Sequence, residues 1–175
     1  KKVTCVHKSN VMRVTDGLFA KSCADVAKNY PEITFEEMYV DACAMNLIRQ
    51  PEKFDVVVTT NLFGDILSDE SSQVVGGLGM APAANIGDNF ALFEPVHGAA
   101  FDIAGQNIAN PSSFLLSIKM MLDWLGTKHN DPKCFDVAKK LESTIFDLVK
   151  SGVKTKDIGG DKTTIEFTKH ITDNL

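Results

Sequence analysis

The sequence predicts an α/β protein in two lobes, and three observations carry that expectation. Short β-branched runs alternate with amphipathic helical ones. The run Phe54-Asp55-Val56-Val57-Val58-Thr59-Thr60 is nearly continuous in apolar character, as in strands covered on both faces. The cluster Gly76-Gly77-Leu78-Gly79-Met80-Ala81-Pro82 then stops the helical pattern in mid-chain, where a crossing between lobes is expected. With 44% hydrophobic and 23% charged residues, 175 residues suffice to bury a substantial core.

Taken in order, Val3 to His7 alternates and is β-branched, which predicts a strand. A helical pattern follows with Met12, Leu18, Phe19, Cys23, Val26 and Ala27 on one face, closed by Pro31. A second helix is expected from Glu36 to Arg49, carrying Met38, Ala42, Met45 and Ile48 and ended by Pro51. After the Phe54–Thr60 strand a helix should start at Gly64. Phe90 to Phe93 looks like a strand, and Glu94 to Asn110 like a long loop, of the kind that is usually functional. Asn110-Pro111 and Asp131-Pro132 are helix starts, Asn or Asp capping and Pro occupying the first turn. Gly126 and Gly152 are the corresponding stops, and Thr163 or Thr164 opens a last helix.

A net charge of -5 without a basic patch argues against nucleic acid or an anionic membrane as partner, since both are repelled at long range. Apolar stretches such as Met120 to Leu125 are broken by charges and fall well short of the roughly 20 residues a membrane helix requires. No signal peptide is recognisable. Cys5, Cys23, Cys43 and Cys134 are widely spaced without a CxxC pair, which suits reduced thiols in a cytosol. The chain opens at Lys1 without an initiator Met and directly in a strand, so it is expected to be cut from something longer.

The sharpest local signal is Asn61-Leu62-Phe63-Gly64-Asp65-Ile66-Leu67-Ser68-Asp69. On a helix, Asp65 and Asp69 project from one face with Cβ atoms about 5 to 6 Å apart. Two hard oxygen donors without a neighbouring His or Cys suit Mg²⁺ or Mn²⁺ better than zinc. The same spacing also describes a dipole-compensating acid followed by a solvated one, a common surface pattern. Asp41 lies in Tyr39-Val40-Asp41-Ala42 beside apolar neighbours and needs a cation or a hydrogen-bond partner, whether metal or salt bridge. Lys8 sits where a strand hands over to a helix, a usual position for an acid or base and equally for an exposed lysine at a turn. In Glu94-Pro95-Val96-His97-Gly98-Ala99-Ala100-Phe101-Asp102-Ile103-Ala104-Gly105, small residues allow close backbone approach to a ligand and Asp102 offers an acceptor for ribose hydroxyls. Gly77-Leu78-Gly79 lacks the third glycine and the context of a dinucleotide fingerprint.

Together these segments resemble the decarboxylating β-hydroxyacid dehydrogenases, the family of 3-isopropylmalate, isocitrate, homoisocitrate and tartrate dehydrogenases. The matching blocks are HKSNVMRVTDGLF at 7 to 19, NLFGDILSDE at 61 to 70, GGLGMAPAANIG at 76 to 87 and EPVHGAAFDIAGQNIANP at 94 to 111. The resemblance spans essentially all 175 residues, and four blocks in order are far more specific than any one. It implies a two-lobed isopropylmalate/isocitrate dehydrogenase-like fold, incomplete at its N-terminus. Residues 1–75 would be part of the dimer-interface and substrate lobe, and 76–175 the C-terminal part of the cofactor lobe.

The same resemblance implies that Asp65 and Asp69 bind Mg²⁺ or Mn²⁺ together with a small 2-hydroxy acid, while Asp41 completes the site from the neighbouring subunit of a dimer. Lys8, also reaching across, would take part in proton transfer from the 2-hydroxyl, with Asn10 near substrate and nicotinamide. Glu94, His97, Gly98, Ala99, Ala100, Ile103 and Asn110 match cofactor contacts, and Asp102 matches the acid on the adenosine ribose. An acid there repels a 2′-phosphate and favours NAD over NADP. The wording sits nearest the archaeal 3-isopropylmalate branch, which makes that acid the expected substrate, with isocitrate or homoisocitrate as alternatives. A non-catalytic binding or regulatory subunit is the rival of another class. Phe101 stands where the family often has Pro, and the family's substrate arginines and catalytic tyrosine precede Lys1, so the isolated piece is expected to be inactive.

Overall fold

The computed structural model describes residues 1–175, which form two compact units, Lys1–Val74 and Val75–Leu175. The first holds a three-stranded parallel sheet of β1 (Lys2–His7), β2 (Thr34–Tyr39) and β3 (Val56–Thr59) in the order β2-β1-β3. Helices α1 (Thr15–Ala27), α2 (Val40–Arg49) and α3 (Asn61–Val74) follow the three strands in turn. From β1 to β2 the chain steps one way across the sheet, and from β2 to β3 it steps back. Right-handed crossovers therefore send α1 and α2 to opposite faces. The strand residues sort accordingly. Val6, Met38 and Val57 pack with Cys43, Leu47 and Leu67 from α2 and α3. Val3, Phe35 and Val58 line a cleft of about 470 Å³ with Phe19, Cys23 and Val26 of α1.

Three expectations for this unit need correction. Glu36 to Tyr39 is strand, not the start of a helix, because Thr34–Tyr39 pairs in parallel with β1 along its whole length. Thr4 donates its hydroxyl to Glu36 at 2.7 Å, and Lys2 pairs with Glu36 at 2.9 Å, which fixes that register. Consequently the buried stripe of α2 is Cys43 and Leu47, while Met45 and Ile48 are exposed. Helix α3 also begins three residues before Gly64, at Asn61. Similarly, α1 starts only at Thr15, leaving Met12 outside it, and Leu18 and Val26 are exposed.

The second unit packs an antiparallel hairpin, β4 (Pro82–Ile86) and β5 (Ala91–Pro95), against α4 (Ser112–His129), with α5 (Pro132–Lys150) and α6 (Thr164–Asn174) completing it. Its core joins Met80, Leu116, Leu141, Ile145, Phe167 and Ile171. Strand β4 was not expected, since Pro-Ala-Ala-Asn is poor in β-formers and is held by its pairing with β5. Gly126 does not end α4, which runs on to His129 and stops at Asn130 in the left-handed conformation, φ 52°. A side chain at Gly126 would press against the Phe135 ring at 3.0 Å, so the glycine serves close packing of α5. Asp131 caps α5 by accepting from the Lys133 amide, and Thr163 with Glu166 forms a capping box on α6. No helix is long and apolar enough to cross a membrane.

Candidate active site

In open parallel sheets, ligands bind beyond the carboxyl ends of the strands where successive helices part to opposite faces. One crevice of the first unit lies between the ends of β1 and β2, neighbouring strands that feed α1 and α2 on opposite faces. Lys8 follows directly on β1, and Asp41 stands in the first turn of α2, directly after β2. Lys8 Nζ lies 2.5 Å from Asp41 Oδ1 and 5.8 Å from the centre of the Tyr39 ring. The pairing gives Asp41 the cation its sequence position demanded, although the carboxylate is exposed rather than set among apolar neighbours. The Lys8 ammonium, helped by amides of the α2 N-terminus, holds the Asp41 carboxyl below the usual carboxylate value. A hollow of about 300 Å³ beside the pair is lined by His7, Ser9, Glu37, Met38 and Tyr39.

The backbone around Lys8 is tightly held. Its carbonyl accepts from the amides of Val11 and Met12, both at 2.9 Å, and its amide donates to Asp16 Oδ2 at 2.7 Å. Asp16 is only 4% exposed, a buried carboxylate at the start of α1. Sequence reasoning missed it. An acid in the first turn of a helix, eight residues after a turn lysine, was the available signal. Asn10 is exposed in the same turn.

Asp65 and Asp69 lie one turn apart on α3, both exposed, and neither makes an ion pair. Two free acceptor-only carboxylates of this spacing fit a hard divalent cation. No group of three His, Cys, Asp or Glu side chains converges within the chain. Asp41, spent on Lys8, is thus not brought to Asp65 and Asp69.

In the second unit, the segment after β5 is open in its middle and pinned at its far end. Ala100 takes the left-handed conformation, φ 46°, opening a short 3₁₀ turn at Phe101–Ile103. Gly98, Ala99, Ala100 and Asp102 are exposed, and the Asp102 carboxylate has no partner within the chain. His97 Nδ1–H donates to the Gly98 carbonyl at 2.9 Å, which leaves Nε2 free. Glu94, on β5, accepts from Asn85 at 3.3 Å, and Ile103 is half-buried. Beyond Gly105 the chain is tied to α6: Thr164 Oγ1 donates to the Ala109 carbonyl, and the Ile165 amide to Asn107 Oδ1. Asn110 is buried, and its amide group is committed. Its Oδ1 accepts from the Ser112 amide at 2.9 Å, and its Nδ2 donates to Asp157 at 3.0 Å. Asp157, which in turn accepts from Thr155 at 2.6 Å, was also missed, since nothing local marks it.

Comparison with known proteins decides the family. The model of the isocitrate/isopropylmalate dehydrogenase family matches residues 1–175. The chain belongs to this family. A 3-isopropylmalate dehydrogenase of Saccharolobus solfataricus is 59% identical over 161 residues, covering 91% of this chain and 47% of the relative. An isocitrate/homoisocitrate dehydrogenase of Thermus thermophilus is 49% identical across the whole chain, covering 50% of its own length. The crystal structure of isocitrate dehydrogenase from Methylococcus capsulatus superposes with a TM-score of 0.91 at 43% identity, over 99% of this chain and 50% of that one. The chain thus spans about half the length of the relatives it matches. The family's α/β fold, expected from the sequence, is what the structure has.

Proposed function

We propose that the chain serves within an NAD-dependent dehydrogenase that oxidises and decarboxylates a 3-carboxy-2-hydroxy acid, with 3-isopropylmalate as substrate. The observation that carries this reading is the Lys8–Asp41 pair beyond the carboxyl ends of β1 and β2. Lys8 is placed there to take part in the proton transfer that frees the 2-hydroxyl as its carbon gives up hydride, its ammonium first releasing a proton to water so that the amine can accept one. Asn10, exposed in the same turn, is available to orient substrate and nicotinamide. Residues 1–75 are taken as part of the dimer-interface and substrate lobe and 76–175 as part of the cofactor lobe.

Asp65 and Asp69 would hold Mg²⁺ or Mn²⁺, with Asp41 of a second copy as the third acid. The ion, when bound, supplies Lewis acidity to an adjacent carbonyl. Glu94, His97, Gly98, Ala99, Ala100 and Ile103 would form the cofactor cradle, with Asn110 anchoring its far end. The free Asp102 carboxylate is suited to take both ribose hydroxyls of NAD and to repel a 2′-phosphate. Met45 and Ile48 on α2 and Leu62 and Ile66 on α3 are exposed, which supports a homodimer formed through this face. Four free cysteines, two of them buried, suit a cytoplasmic setting.

The test is NAD reduction by the enzyme with Mg²⁺ or Mn²⁺, offering 3-isopropylmalate, isocitrate and homoisocitrate side by side and Asp65→Asn as control. A preference for 3-isopropylmalate that vanishes in the variant supports the proposal. A tricarboxylate preference moves the substrate to a sister enzyme, and no turnover with any of them points to a binding or regulatory subunit.

A further inference from the structure

His7 ends β1 immediately before Lys8 and is 2% exposed, yet its ring is fully engaged in polar contacts. Nδ1 lies 3.2 Å from the Ser9 amide nitrogen, and a backbone N–H can only donate, so Nδ1 is the acceptor. A neutral ring then carries its proton on Nε2, which lies 3.2 Å from Glu37 Oε2 and donates to it. The ring also meets Tyr39 edge to face, with centroids 5.6 Å apart and planes at 85°. His7 therefore touches both walls of the crevice: Ser9, in the turn bearing Lys8 and Asn10, and Glu37 and Tyr39 of β2, the strand that leads into Asp41.

We infer that His7 is a positioning residue: its neutral imidazole, protonated on Nε2, sets the Lys8–Ser9–Asn10 turn against the end of β2 so that Lys8 meets Asp41. The inference rests on the proposed role of Lys8. Asp16 fixes the Lys8 amide from the other side, while His7 ties the backbone of that turn, at Ser9, to Glu37 of β2. A packing role would require bulk alone, and in that case Phe would serve. The assigned role requires both an acceptor where Nδ1 stands, which Asn Oδ1 can supply, and a donor where Nε2 stands, which Gln Nε2 can supply, so each of these residues restores one of the two contacts.

The experiment measures steady-state kinetics of the full enzyme carrying His7→Asn, His7→Gln and His7→Phe. His7→Asn and His7→Gln, each keeping one contact, should lower kcat less than about tenfold, whereas His7→Phe, losing both, should lower it about tenfold to a hundredfold with KM nearly unchanged, the effect of lost hydrogen bonds read as rate. Full kcat in His7→Phe would overturn the inference, as would equal losses in all three folded variants. Should the variants fail to fold, nitrogen-15 spectra of the wild-type imidazole decide instead: a protonated Nδ1 at neutral pH overturns the assignment, and a bare Nδ1 with protonated Nε2 supports it. A wild-type enzyme without dehydrogenase activity would overturn the functional reading itself, and this inference with it.

Discussion

The ammonium of Lys8 stands 2.5 Å from the carboxylate of Asp41, joining the ends of two neighbouring parallel strands. The pair holds Asp41 ionised further into acid than an ordinary aspartate. A carboxyl depressed on folding adds stability above its unfolded value and loses it as pH falls through the folded value. Because the carboxylate is exposed, solvent screening keeps that contribution small. In a carbon-13 titration the Asp41 carboxyl should therefore have its midpoint below the ordinary value. In Lys8→Met the midpoint should move back up, and an unchanged midpoint would deny the pair in solution.

Asp65 and Asp69 supply the candidate metal donors, so each should matter to the ion more than to the fold. Replacing either by Asn should weaken Mn²⁺ binding on the order of a hundredfold, the upper end of what losing even a supporting partner costs. Both side chains are exposed, so thermal stability without metal should stay within about 0.5 kcal/mol of wild type. Calorimetric Mn²⁺ titration checks the first part and thermal denaturation the second.

Asp102 is expected to select the cofactor. Asp102→Ala should weaken NAD at least about tenfold by removing two ribose hydrogen bonds, while NADP, freed of a repelling charge, should gain. The ratio of NAD to NADP dissociation constants is the measurement. A ratio that does not move would remove Asp102 from the cofactor site.

What was legible in the sequence follows from how local each signal is. The caps at Asp131 and Thr163 need partners only two or three residues away, and both helices start there. Strands β1 and β3 carry β-branched runs that no helix would favour. Thr34–Tyr39 misled because Met38 falls in helical register with Ala42 and Met45, whereas its strand character comes from pairing with β1, more than 30 residues away in sequence. Gly126 misled in the opposite direction: a glycine near a helix end suggested a stop, but its reason is the Phe135 ring. At the site, Lys8, Asp41, Asp65, Asp69 and Asp102 were visible as residue types in telling places. Asp16 carried only a faint local signal, and His7 and Asp157 none, since their roles depend on partners that only folding brings near.

Gly160 offers a stability test of the second unit. Its amide donates to the Thr155 carbonyl at 2.9 Å, and a Cβ there would overlap the Lys154 carbonyl, which itself accepts from the Lys162 amide. The obstacle is backbone, so it cannot rotate away. Gly160→Ala should cost about 3 kcal/mol or more, at or above the usual range for overpacking. Gly17→Ala, in α1 with nothing within 4 Å of the added Cβ, should be neutral or stabilise by about 0.5 to 1 kcal/mol. Urea denaturation of the two variants measures the contrast.

The last prediction concerns the shared site. Leu62 and Ile66 are one turn apart on α3 and exposed, as are Met45 and Ile48 on α2, the helix that packs against α3. If a second copy covers this face, Leu62→Lys with Ile66→Lys should yield monomers by sedimentation and abolish activity, although neither side chain is placed at the chemistry. Asp41 is engaged by Lys8 and does not join Asp65 and Asp69 within the chain, and on the proposed reading the third acid comes from the partner. Mixing inactive Asp41→Asn with inactive Asp65→Asn protein and allowing subunits to exchange then produces heterodimers with one intact site each. Random exchange in a two-fold dimer restores roughly a quarter of wild-type activity. A site built within one chain would leave the mixture dead, because each half of the heterodimer would still lack one of its own acids.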